Sequence, residues 1–96
     1  MEPLTDAQIQ DALARMEGWE YADGALTTTF EFQDFKEAFT AMSRIAFECE
    51  AQDHHPDWTN VYNQLEIRLS THSAGGVTEK DFRLARTIDR LIASPE

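Results

Sequence analysis

The sequence predicts an α+β domain, one unit over residues 1–96, in the order α-β-β-α-β-β-α. Three observations carry that expectation. Three stretches repeat apolar residues at helical spacing, and each begins with a capping signal. Two stretches alternate apolar and polar residues around turn-forming pairs. Both alternating stretches have one polar face, so the simplest assembly is a four-stranded antiparallel sheet with three helices packed on one face.

The elements follow in order. Residues 4–17 read as a helix, with Ile9, Ala12, Leu13 and Met16 as its apolar stripe. Thr5 and Gln8 have capping-box spacing, Leu4 and Ile9 match a hydrophobic staple, and Gly18 suits the C-terminal stop. The stretch GWEYADGALTTTFEF reads as a hairpin turning at Asp23-Gly24. Leu26, Thr28, Phe30 and Phe32 alternate there with Thr27, Thr29 and Glu31.

Asp34 caps a second helix, with Glu37 three residues on. Phe35, Ala38, Phe39, Met42, Ile45, Ala46 and Cys49 form its apolar stripe. Pro56 disfavours helical geometry at His55, so this helix stops near Asp53. DWTNVYNQLEIRLSTH reads as a second hairpin, with Leu65, Ile67 and Leu69 on one face. Its turn falls at Tyr62-Asn63, because Asn tolerates left-handed geometry. After Gly75-Gly76, Thr78 caps a third helix with Asp81 at its third position. Val77 and Phe82 make the staple there, and Phe82, Ala85, Ile88, Leu91 and Ile92 face inward.

Composition narrows the function. Eight Lys/Arg stand against eighteen Asp/Glu, a formal net charge of −10. Phosphate backbones and anionic membranes are repelled by such a surface, so no nucleic-acid or membrane partner is expected. A small, roughly neutral ligand or a protein partner fits better. No apolar run approaches the roughly 20 residues that cross a bilayer. MEPLTDAQIQ lacks the apolar core of a secretory signal. The single cysteine, Cys49, allows no internal disulfide and fits a reducing compartment. A cytoplasmic protein is expected.

Chemistry concentrates in EAQDHHPDW, residues 50–58, where His54 and His55 adjoin Pro56 between carboxylates. A histidine pair past a helix end is more often a solvated feature answering the partial negative charge of that end. A zinc site from three histidines and two carboxylates is a second reading. Against it, adjacent His54 and His55 tend to point apart, and no His-x3-His helical spacing occurs.

A longer pattern decides between them. Glu50, His54, His55, Pro56, Tyr62, His72 and Asp81 read as E-x3-HHP-x5-Y-x9-H-x8-D. With the surrounding DHHPDWTNVYN, STH and TEKDF, this pattern resembles the signature of the pterin-4a-carbinolamine dehydratases, over most of the chain. The resemblance implies the αββαββα fold. It implies loss of water from a 4a-hydroxytetrahydropterin, the product of aromatic amino-acid hydroxylases, to give quinonoid dihydropterin. It implies no metal and no bound cofactor, the pterin being the substrate.

Imidazole suits that chemistry, since both its forms are available near neutrality. The resemblance makes His54, His55 and His72 the catalytic candidates, with His54 and His72 exchanging protons and His55 orienting the pterin or supplying the complementary proton. Glu50, one turn before His54, is expected to hold that imidazole, and Asp81 to orient His72. Asp81 also has a structural reading as a capping carboxylate. Pro56 and Trp58 would shape the wall, and Thr71, His72, Ser73 and Ala74 would complete the pocket. Strict alternation, however, puts His72 on the sheet face away from the helices, so meeting His54 requires the strand to end or bulge near Ser70–Thr71.

Family members form homodimers and tetramers, so a homo-oligomer is expected, with the apolar stripe of the second helix available for it. Some members act as dimerisation cofactors for a transcription factor. That makes a non-catalytic binding module the competing class, and service to another pterin pathway, such as molybdopterin metabolism, the competing role.

Overall fold

The computed structural model describes residues 2–93; Met1 and residues 94–96 of the expected domain lie outside them. The element order is α1 (Asp6–Leu13), β1 (Glu20–Ala22), β2 (Ala25–Glu31), α2 (Phe35–Gln52), β3 (Asp57–Val61), β4 (Gln64–Leu69) and α3 (Glu79–Ala93). A 3-10 turn, His72–Ala74, lies between β4 and α3. The strands form one antiparallel sheet in the order β1-β2-β4-β3, and the three helices cover one face, as expected.

Local chemistry explains most boundaries. Thr5 and Gln8 exchange the two bonds of a capping box, and Ile9 beside them is buried. Asp34 accepts the Glu37 amide at the start of α2. At α3, Thr78 Oγ1 accepts the Lys80 amide while Asp81 accepts the Thr78 amide. The β1–β2 turn places Asp23 at φ 52° and Gly24 at φ 77°, the paired left-handed geometry of a tight hairpin.

Three expectations change. The first helix is shorter than 4–17, because the amides of Arg15 and Met16 bond the carbonyls of Ala12 and Leu13 and tighten the chain out of α-geometry. That exit lets Trp19 turn inward, where its indole Nε1 donates to both carboxylate oxygens of Asp89 at 2.9 and 3.1 Å. In the second hairpin the left-handed residue is Tyr62, at φ 54°, rather than Asn63. Asn63 instead accepts the Phe32 amide on its carbonyl and donates Nδ2 to the Phe32 carbonyl, tying the turn to the end of β2. The stripe of α2 also divides. Ala38, Ile45 and Cys49 are buried, whereas Phe35, Phe39 and Ala46 are exposed, and Phe47 more so.

The core lies between sheet and helices. Leu26, Leu65, Ile67, Leu69, Phe82, Leu84 and Ile88 are fully buried, each stabilising the fold by about 1.5–3 kcal/mol relative to exposure. Thr28, a polar residue on the inner face, donates its hydroxyl to the Gly18 carbonyl at 2.7 Å. Among the described residues no helix is long and apolar enough to cross a membrane.

Candidate functional site

The histidine pair sits where α2 ends. Asp53 takes a left-handed conformation, φ 53°, as the C-cap, and the His54 amide bonds the Cys49 carbonyl at 3.0 Å. The chain then straightens through Pro56 into β3, so adjacent side chains take opposite sides. His54 goes inward and is buried; His55 stays exposed.

This split reverses the expected pairings. His54 Nε2 meets Asp81 Oδ1 at 2.5 Å, and Glu50 Oε1 meets His55 Nε2 at 2.8 Å. Glu50 therefore holds His55 rather than His54, and Asp81 orients His54 rather than His72. The cause is the left-handed Asp53, which breaks helical spacing before the i, i+4 contact forms.

Asp81 is fully buried and anchors a closed network. Its Oδ2 accepts the Thr71 hydroxyl and the Thr78 amide, both at 2.9 Å. The Thr71 hydroxyl spends its proton on Asp81, so Thr78, 2.8 Å away, donates to Thr71. With the carboxylate as acceptor, His54 donates through Nε2. The end of α2, the end of β4 and the start of α3 are thus bound through one carboxylate. Asp81 has the capping role, and it holds His54 as well.

His72 follows alternation. β4 ends at Leu69, Thr71 forms a single bridge with Gly76, and His72 opens the 3-10 turn closed by Gly75 at φ 78°. Thr71 stays on the inner side with Leu69, while His72 stays outside. The irregular segment does not carry His72 to His54. It leaves His72 on the outer face, where it lines one hollow of about 120 Å³ with His55. Asp23, Gly24, Ala25, Asp57, Arg68 and Ser70 complete the lining.

The other expected residues distribute around this centre. Pro56 and Trp58 are half-buried, and Trp58 packs against the core rather than lining the hollow. Thr71 faces Asp81, Ser73 is exposed and Ala74 half-buried in the turn. Tyr62 is exposed at the far end of β3. Arg68, Asp57 and Ser70 were missed as site residues, although alternation from His72 and His55 points to them. Cys49 lies buried behind the pair, and burial pushes its thiol up to about 11, with Glu48 and Glu50 adding to the rise against its own backbone hydrogen bond. Among the described residues no group of His, Cys, Asp and Glu side chains converges as a metal site.

Comparison with known proteins gives the family and the fold. The family model described as pterin 4 alpha carbinolamine dehydratase matches residues 2–91. A relative from Christiangramia forsetii, provisionally named a pterin-4-alpha-carbinolamine dehydratase, is 58% identical over 98% of this chain and 97% of its own. A relative of the same provisional name from Rhodospirillum rubrum is 50% identical over 93% of this chain and 95% of its own. The crystal structure of a transcriptional coactivator/pterin dehydratase from Brucella melitensis superposes with a TM-score of 0.91 at 40% identity, covering 94% of this chain and 98% of that one. The chain belongs to the pterin 4 alpha carbinolamine dehydratase family.

Proposed function

We propose that the protein removes water from a 4a-hydroxytetrahydropterin to give quinonoid dihydropterin, with His55 and His72 exchanging the protons. The observation that carries this reading is that two imidazoles, distant along the chain, line one hollow at the sheet's outer face. An imidazolium delivers a proton to the 4a-hydroxyl. The C4a–O bond breaks and water leaves with its electron pair. The other imidazole takes the N5 proton, and the N5 electrons close the C4a=N5 bond. The oxidation state does not change, and the two imidazoles return to their starting forms by exchange with solvent.

Each residue's place suits a part. Glu50 holds the His55 ring by its Nε2. His54, tied to Asp81, fixes the turn from which His55 projects, and so acts by position. Paired acid–base groups give about 10² to 10⁴ in rate, or roughly 3–5 kcal/mol, which is sufficient for a carbinolamine already prone to lose water. The test is the dehydration rate of His55→Ala and His72→Ala proteins of unchanged fold. A loss of about 100-fold or more is expected in each; wild-type rates in both would refute the assignment.

The physiological role proposed with this chemistry is recycling of the pterin spent by aromatic amino-acid hydroxylases in the cytoplasm. We further propose that the protein works as a homo-oligomer. Phe35, Phe39 and Phe47, exposed by 46%, 55% and 76% on α2, support this reading.

A further inference from the structure

The hollow has a wall that the proton transfers leave unused. Its geometry follows from strand register. Arg68 on β4 stands opposite Thr27 of β2 on one side and Asp57 of β3 on the other. Continuing both registers by a residue or two sets Ser70 between Ala25 and His55; beyond it His72 opens the 3-10 turn, with Asp23 on the same hollow. All of these but Thr27 line the hollow.

Two ranks therefore cross the hollow, about 7 Å apart, and His72 lies past the second. That second rank has small side chains, Ala25 and Ser70, with Gly24 beside them, which is why a depression exists there, and His55 flanks Ser70 on the β3 side. His72 bounds one end. Arg68 and Asp57 bound the other. Opposite charges at directly opposed positions commonly pair, yet no ion pair joins Arg68 to Asp57 among the described residues. Their hydrogen-bonding atoms are left for another partner.

We propose that Asp57 and Arg68 read the polar edge of the substrate's pyrimidine ring and select a 2-amino-4-oxo ring. The inference rests on the dehydratase reading. That edge presents an acceptor, O4, followed by two donors, N3–H and the 2-amino group. A carboxylate accepts two parallel N–H bonds, and a guanidinium donates to a carbonyl oxygen. C2 lies across the ring from C4a. Seating the 2-amino end on Asp57 therefore turns C4a and N5 toward His55 and His72, with the ring plane over Ala25 and Ser70.

The test compares binding of pterin and of lumazine, its 2-oxo counterpart, by quenching of ligand fluorescence. Wild-type protein is expected to bind pterin about tenfold or more tightly than lumazine. Asp57→Asn keeps one acceptor and gains a donor, which matches the 2-oxo edge, so the preference should vanish or reverse. Arg68→Met should weaken both ligands about tenfold, because both carry the 4-oxo group, and should raise KM for the carbinolamine more than it lowers kcat. An unchanged pterin-to-lumazine ratio in Asp57→Asn, or unchanged affinities in Arg68→Met, overturns the wall alone if the wild type still dehydrates the carbinolamine. A wild type that neither binds pterin nor dehydrates overturns both readings.

Discussion

Replacing Asp81 by alanine removes the acceptor of three buried hydrogen bonds at once. His54 Nε2, the Thr71 hydroxyl and the Thr78 amide all end on this carboxylate, which has no exposed surface. A buried donor stripped of its partner costs about 1–3 kcal/mol. Relaxation around the vacated carboxylate recovers part of this, so the full sum is not reached. We expect a loss of about 3–5 kcal/mol, the range found when one partner of a buried pair is deleted. Domains of this size hold about 5–15 kcal/mol in total. Asp81→Asn should behave differently. Its amide oxygen still serves Thr71 and Thr78, while its NH2 faces His54. The imidazole then moves its proton to Nδ1 and accepts at Nε2. The cost falls to about 1–2 kcal/mol, or roughly 4–16 °C in Tm. Guanidinium unfolding measures both losses, and nitrogen NMR of the imidazole reports the tautomer. A loss below about 1 kcal/mol in the alanine protein, or an unmoved His54 proton in the asparagine protein, would refute the network.

Other consequences are direct. Burial pushes the Cys49 thiol up to about 11, so at pH 8 a thiol reagent should label the native protein far more slowly than the unfolded one; equal rates would contradict its burial. Burial also raises the Asp89 carboxyl, partly offset by the Trp19 hydrogen bond. A raised folded value means its contribution is full below the unfolded value and is lost as pH rises through the folded one. Asp89→Asn should therefore gain stability relative to wild type between acid and neutral pH, and urea melts at both ends test the sign. Gly24→Ala forces a side chain into φ 77° and should cost about 1 kcal/mol, read as a lowered denaturation midpoint with unchanged slope. Phe39→Glu with Phe47→Glu should shift the protein to monomer in light scattering without unfolding it; an unchanged mass would remove α2 from the proposed interface.

Much of the fold is local, and local chemistry is visible in a sequence. The capping pairs Thr5/Gln8, Asp34/Glu37 and Thr78/Asp81, the Asp23-Gly24 turn and the alternation of Leu65, Ile67 and Leu69 each involve residues a few positions apart. Their outcome depends on backbone geometry that neighbours settle among themselves. The end of the first helix was less legible, because it depends on Trp19 reaching Asp89, 70 positions away. The division of the α2 stripe was likewise hidden. Periodicity marks an apolar side of a helix, but the width of the layer beneath it decides how much of that side is covered.

For the site, the resemblance to the dehydratase signature singled out His54, His55, His72, Glu50 and Asp81, and alternation already placed His72 outside. Who pairs with whom did not follow. One left-handed residue, Asp53, turns the chain so that His54 dives to Asp81 and leaves His55 to Glu50. Spacing describes neighbours along one element, whereas these contacts form between the ends of three. The hollow itself arises from register, which sets Ala25 and Ser70 between larger side chains. Register is a property of paired strands, so the position of each side chain across the sheet is decided only when the hairpins meet.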